Sequence, residues 1–195
     1  MRHLTHAARC ERCSLHLDRC LCALIVEERP RIELLIVRHW KEALKPTGSA
    51  ALLQRCLPST TLLDYGARDA VFDDALLQQP GCVLLMPPDP MPSAPLPLPE
   101  AARLVLVDGT WSQARRLVHR LPALARMPRW CISKPARLTD RLRQPHEPWA
   151  RSTFEAAAEA LGALEDPALE LRLLSIYDEW VQRTWLMRGR SPEPA

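Results

Sequence analysis

The chain predicts an α/β domain built on a mostly parallel sheet with flanking helices. Three observations lead there. Short apolar runs recur along the 195 residues. Stretches of helical spacing separate them, the pattern of strand–helix alternation that gives parallel sheets. Several of the runs are apolar throughout rather than alternating, as strands covered on both faces are.

The elements follow in order. Ile32-Glu33-Leu34-Leu35-Ile36-Val37 reads as a buried strand. Residues 48–57 have helical spacing, and Pro58 stops that helix. Thr60-Thr61-Leu62-Leu63 is a second strand, rich in β-branched residues. Cys82-Val83-Leu84-Leu85-Met86 is a third, closed off by Pro87-Pro88. From Pro87 to Pro99 seven of thirteen residues are proline, which predicts a stiff, extended surface loop of no assigned role. Leu104-Val105-Leu106-Val107 is the clearest strand. It runs into Asp108-Gly109-Thr110-Trp111 and a basic helix over about 112–121. Trp130-Cys131-Ile132-Ser133 reads as a last strand. Two helices finish the chain, over about 153–164 and 168–187. In the second, Leu169, Leu173, Ile176, Trp180 and Thr184 recur at helical spacing, so one face packs on the core. Three parts result: an N-terminal segment (1–30), a main domain (31–190) and a short tail (191–195).

No apolar run approaches the roughly 20 residues of a membrane span. Met1 to His6 contains no apolar block of the signal-peptide kind. A cytoplasmic location is therefore expected, where cysteines serve as thiols or metal ligands.

The net charge of +3 is unevenly spread. Between Ser112 and Arg151 stand ten cations: Arg115, Arg116, Arg120, Arg126, Arg129, Lys134, Arg137, Arg141, Arg143 and Arg151. The same stretch holds two acids, Asp140 and Glu147. Solvated surfaces usually mix signs, so a one-sided segment points to a polyanion such as nucleic acid. The competing reading is that some of these arginines pair with the acidic C-terminal part.

Cys10, Cys13, Cys20 and Cys22 form C-x-x-C-x6-C-x-C. A C-x-x-C turn can place two thiolates on one ion, and a nearby second pair closes a tetrahedral shell, so a structural zinc is expected. Cys56, Cys82 and Cys131 lie in apolar contexts and read as core thiols.

Three further stretches carry chemistry. Asp108 stands at the carboxyl end of a strand, where ligands bind in open α/β sheets. Gly109 permits a close backbone approach, and Thr110 with Gln113 makes a capping box whose helix N-terminus could hold an anion. Trp111 offers a flat surface for a base. Ser152-Thr153-Phe154-Glu155 is a second capping box, before an alanine-rich helix. His39-Trp40-Lys41-Glu42-Ala43-Leu44-Lys45-Pro46-Thr47 follows the first strand. There His39 and Lys45 could contact phosphate, and Thr47 could cap a helix.

Together and in this order, these pieces resemble the DTW-domain family. The tail, Trp180-Val181-Gln182-x-Thr184 followed by Arg188-Gly189, joins the resemblance. Family members usually continue Lys-Pro-Thr with Asn-Thr, whereas Gly48-Ser49 follows Thr47 here. The resemblance implies a tRNA-uridine aminocarboxypropyltransferase that uses S-adenosylmethionine. It further implies a fold akin to SPOUT-type RNA methyltransferases, with a trefoil knot. On that reading Asp108 is a general base or an orienting group. Met86, Pro87, Gly109, Thr110, Trp111, Ser152, Thr153 and Glu155 hold S-adenosylmethionine. His39, Lys45 and the basic segment, with the zinc module, grip the tRNA. The alternatives are a SPOUT-like methyltransferase and a non-catalytic zinc-containing RNA-binding adaptor. The number of subunits is left open.

Overall fold

A computed structural model of the chain describes residues 8–46, 48–67, 71–87, 97–137, 139, 142, 147 and 149–189. Five strands form one sheet: β1 (Glu33–His39), β2 (Thr61–Tyr65), β3 (Cys82–Leu85), β4 (Arg103–Asp108) and β5 (Arg129–Trp130). Their order is β2-β1-β4-β3-β5, and every pairing is parallel.

Side chains alternate across a strand, so each apolar run serves two cores. Leu34, Ile36, Val83, Leu104 and Leu106 face one layer. It contains α2 (Ser49–Cys56), α5 (Thr153–Leu164) and α6 (Pro167–Met187). Leu35, Val37, Leu84 and Val105 face the other, with α3 (Trp111–Arg120) and α4 (Pro122–Arg126). This three-layer arrangement is why the strands are apolar throughout.

The last strand is shorter than expected. β5 holds only Arg129 and Trp130, and the chain leaves the sheet before Cys131 and Ile132. Among the described residues its only partner is β3, which itself stops at Leu85, so there is no ladder left to join. Two short helices escape the sequence pattern, α1 (Trp40–Ala43) and α4. Four or five residues do not complete the two turns that make periodicity visible. The expected trefoil knot is a property of the whole chain path, which includes the connection between β5 and α5. Residues 138, 140–141, 143–146 and 148 of that path lie outside the described residues, as do residues 88–96 of the proline-rich loop.

The order of the strands creates a crevice. From β1 the chain passes to β2 on one side; from β4 it passes to β5 on the other. These two strands are neighbours, with Arg38 beside Asp108. Their carboxyl ends therefore flank the topological switch point, where open α/β sheets bind ligands.

Among the described residues, no helix is long and apolar enough to cross a membrane. α5 lies between the sheet and α6, with Phe154, Ala157, Ala158 and Leu161 fully buried. Phe154 stacks on Tyr177 of α6 at 5.0 Å between ring centroids. The N-terminal cysteine segment docks on the far end of α6. There Arg183 Nη1 donates to the Cys20 carbonyl at 2.6 Å, and Cys13, Leu15 and Leu21 join the apolar layer.

Candidate functional site

Asp108 ends β4 and is 7% exposed. Thr153, the first residue of α5, donates its hydroxyl to Asp108 Oδ1 at 2.6 Å. This bond joins two sequence-distant motifs into one site. Both capping boxes are formed. Thr110 Oγ1 accepts from Gln113 N, and Gln113 Oε1 accepts from Thr110 N. Ser152 and Glu155 make the same reciprocal pair. Each cap satisfies the third N–H of its helix and uses neither of the first two. Gly109, just before the first box, approaches Gln113 closely: a Cβ there would lie 3.1 Å from Gln113 Cβ and 3.2 Å from its Oε1.

A cavity of about 120 Å3, open on one side, lies over these helix starts. Leu85, Met86, Pro87, Leu106, Val107, Ala114, Cys131, Ile132 and Ala156 give it an apolar wall. Gly109, Arg151, Ser152 and Thr153 supply polar groups. Trp111 and Trp149 form an aromatic corner, edge to face, with centroids 4.9 Å apart. Of the residues expected around a cofactor, Met86, Pro87, Gly109, Trp111, Ser152 and Thr153 line this space. Thr110 and Glu155 do not line it; their side chains serve the capping boxes. Asp108 stands behind Thr153 rather than on the wall. Trp149, Cys131 and Ile132 line the cavity without having been expected there: Cys131 and Ile132 read as strand, and Trp149 stands in an aperiodic connection.

The basic segment divides in two. Arg151 is turned inward with a side chain 7% exposed. It donates to Glu159 Oε2 (2.9 Å) and to the carbonyls of Trp149 (2.7 Å) and Lys134 (2.6 Å). Lys134 pairs with Glu170, and Arg137 with Asp178. These three cations are thus tied to acids of α5 and α6, the pairing with the acidic C-terminal part that the sequence also allowed. By contrast, Arg115, Arg116 and Arg120 are exposed along α3, and Arg126 and Arg129 follow them. None of these five forms an ion pair among the described residues. Arg141 and Arg143 lie outside the described residues.

Glu159 is fully buried, so its loss would strand the Arg151 guanidinium. Glu159→Ala is expected to destabilise the fold by about 3–5 kcal/mol, as breaking one half of a buried pair does. Thermal unfolding should then drop by about 10 °C, at roughly 2–4 °C per kcal/mol for a chain of this size. An unchanged midpoint would show that this pair does not anchor the segment.

His39 and Lys45 sit at the neighbouring strand end. His39 Nδ1 accepts from Lys41 N at 3.2 Å, so its ring proton is on Nε2. Burial, then the Lys41 charge, push its pKa below the usual histidine value. The Lys45 ammonium bonds Glu42 Oε1 at 2.5 Å, and Glu42 is 3% exposed. Thr47 lies outside the described residues.

Residues 7–185 match the family model of the DTW domain. The chain belongs to the DTW-domain family. That family comprises tRNA-modifying transferases, and the match takes in both the cysteine segment and the cavity. No solved structure matches the chain.

Within the DTW domain the four N-terminal cysteines converge. Their Sγ atoms all lie within 4.8 Å of one another. The Cys10–Cys22 and Cys13–Cys20 separations are both 3.7 Å. A disulfide needs about 2.05 Å. A tetrahedron with Zn–S bonds of about 2.3 Å has edges of about 3.8 Å, so the four sulfurs fit a zinc ion. The backbone N–H of Cys13, then that of Arg12, pull the Cys10 thiol down to about 6, while burial pushes Cys22 up to about 12. Cys56, Cys82 and Cys131 are buried thiols, as expected, and burial raises Cys56 to about 12.

Proposed function

We propose that this DTW-domain protein transfers the 3-amino-3-carboxypropyl group of S-adenosylmethionine to N3 of a uridine in tRNA. The observation that carries the reading is the Thr153–Asp108 hydrogen bond, which puts the family's two motifs on one mostly apolar cavity. In the reaction, uracil N3 attacks the arm carbon attached to sulfur. The C–S bond breaks with its electrons going to sulfur, and neutral 5′-methylthioadenosine leaves.

Three carbons are activated by the sulfonium, so selection among them is a matter of position. Met86 and Pro87 line the adenosine part of the cavity, with the Trp111–Trp149 corner as its aromatic wall. The first N–H groups of α3 and α5 receive the carboxylate of the arm. A ligand of nucleoside size fills the cavity and emerges through its open side. N3 lies on the Watson–Crick edge, so the uridine enters unpaired or swung out. Its N3 proton passes to the Thr153 hydroxyl as the hydroxyl proton passes to Asp108. The carboxylate is thus the terminal acceptor although it is not on the wall. The exposed arginines of α3 hold the tRNA backbone, and the cysteines hold a structural zinc with no open coordination position.

The test is mass spectrometry of nucleosides after incubating the protein, tRNA lacking the modification and S-adenosylmethionine. Aminocarboxypropyluridine and methylthioadenosine should appear in equal amounts. S-adenosylhomocysteine with a methylated base would instead establish a methyltransferase. Absence of any product and of cofactor binding would leave only an RNA-binding adaptor.

A further inference from the structure

The cysteine segment does not touch the cavity. It borders a second hollow, of about 450 Å3, on the α2 side of the sheet. Arg9 and Arg12 reach it from the cysteine turn, Lys45 from the loop before α2, and Arg55 from α2 itself. Among the described residues that line it Glu11 is the one acid, and Glu42 behind the rim neutralises Lys45.

Elsewhere in the protein, basic side chains near acids are neutralised: Lys134, Arg137 and Arg151 pair with Glu170, Asp178 and Glu159. Arg9, Arg12 and Arg55 form no ion pair among the described residues. Arg55 is far in sequence from Arg9 and Arg12, so the fold brings unneutralised guanidinium groups from two segments to one cleft. Keeping like charges together is unfavourable unless an anion shares the site.

The hollow and the basic face of α3 lie on either side of one sheet, and the carboxyl edge of the sheet runs between them. His39 stands on that edge next to Gly109 of the cavity. Lys41, Arg116 and Lys45 all lie close enough for their charges to act on His39. Exposed cations therefore stand on both sides of the sheet edge: Arg115, Arg116 and Arg120 on α3, and Arg9 and Arg12 on the cysteine turn.

We propose that this hollow between the cysteine turn and α2 binds RNA phosphates, so that the tRNA backbone crosses the sheet edge from α3 to the cysteine segment. The proposal rests on tRNA being the substrate. It gives the metal-bound segment a task of its own: the C-x-x-C turn sets Arg9 and Arg12 on the rim, and Arg9 Nη1 is further fixed on the Ser14 carbonyl at 3.0 Å. Guanidinium forks suit phosphate oxygens.

The experiment compares the full chain with Arg12→Ala/Arg55→Ala and with Arg12→Glu/Arg55→Glu, neither of which touches the cavity. Binding of tRNA is measured across a salt series, with S-adenosylmethionine binding and the thermal midpoint as controls. The alanine pair should weaken tRNA binding about 10-fold or more and reduce the slope of log K against log salt by about 2, near one for each phosphate no longer neutralised. The glutamate pair should weaken it further, with both controls unchanged. Hydroxyl-radical footprints should lose one backbone stretch in these variants and a different one in Arg116→Ala/Arg120→Ala. Wild-type affinity and slope in the alanine pair, or the same unprotected stretch in both sets, overturns the proposal and leaves the transferase reading intact. Failure of the unaltered protein to bind tRNA at any salt overturns both.

Discussion

Asp108→Asn should lower kcat by about 10^2–10^4, the range for removing a general base, while the KM for tRNA changes little. The asparagine keeps the shape of the aspartate and can still accept the Thr153 hydroxyl, so the fold around the cavity should stand. What it loses is the capacity to take a proton. Thr153 separates this role from a merely structural one. Thr153→Ser retains a hydroxyl at the cavity wall and should keep most of the activity, whereas Thr153→Ala should fall with Asp108→Asn. If the proton travels through both residues, the double variant should be hardly worse than either single one, because groups that act as a unit are not additive. Single-turnover transfer of labelled aminocarboxypropyl group measures each rate. A raised KM with kcat preserved in Asp108→Asn would mean that the carboxylate orients a ligand instead. Wild-type rates in both Asp108→Asn and Thr153→Ala would remove the relay altogether.

That relay also marks what the sequence could and could not convey. Local rules exposed its two halves separately. Leu104 to Leu106 is an apolar run buried between two layers, with Val107 reaching the cavity, and the capping boxes at Thr110 and Ser152 are complete within four residues each. Both were legible because strand alternation and helix capping are short-range. The bond between Thr153 and Asp108 spans 45 residues and has no local signature. Only the family's ordered motifs suggested that the halves belong together. Residues 131–151 show the opposite limit. Counting charges there gave a basic surface, but the acids that answer Lys134, Arg137 and Arg151 lie on α5 and α6. A net charge adds up along the chain; neutralisation happens across it. The cation hollow at Arg9, Arg12 and Arg55 was hidden for the same reason, since those arginines meet only when the cysteine turn packs beside α2.

Removing the metal should release the N-terminal segment while sparing the α/β domain. Residues 8–24 contain two single 3-10 turns and one isolated bridge, Arg9 with His16, and no α-helix or strand. Ordering such a stretch costs about 1–2 kcal/mol per residue. Its buried side chains are Cys13, Leu15 and Leu21, and each returns about 1.5–3 kcal/mol at most. A zinc bound by four thiolates contributes about 10–16 kcal/mol, which is the scale of the shortfall. Without it the segment has too little apolar surface to stay docked, and its hydrogen bonds to Arg183 and Met187 should go with it. The protein as purified should therefore contain about one zinc per chain, the stoichiometry of a four-thiolate site. In Cys10→Ser/Cys13→Ser, hydrogen exchange should rise over residues 8–24 and the last turns of α6. Protection of β1 and β4 should hold, because their core is built from Leu34, Ile36, Leu104 and Leu106 against α5. Cofactor binding should persist as well, since no residue of the segment lines that cavity. Binding of tRNA should weaken, because Arg9 and Arg12 would no longer be held beside Arg55. Metal-free protein with full protection of the segment would show that side-chain packing alone holds it, and the cysteines would then need another explanation.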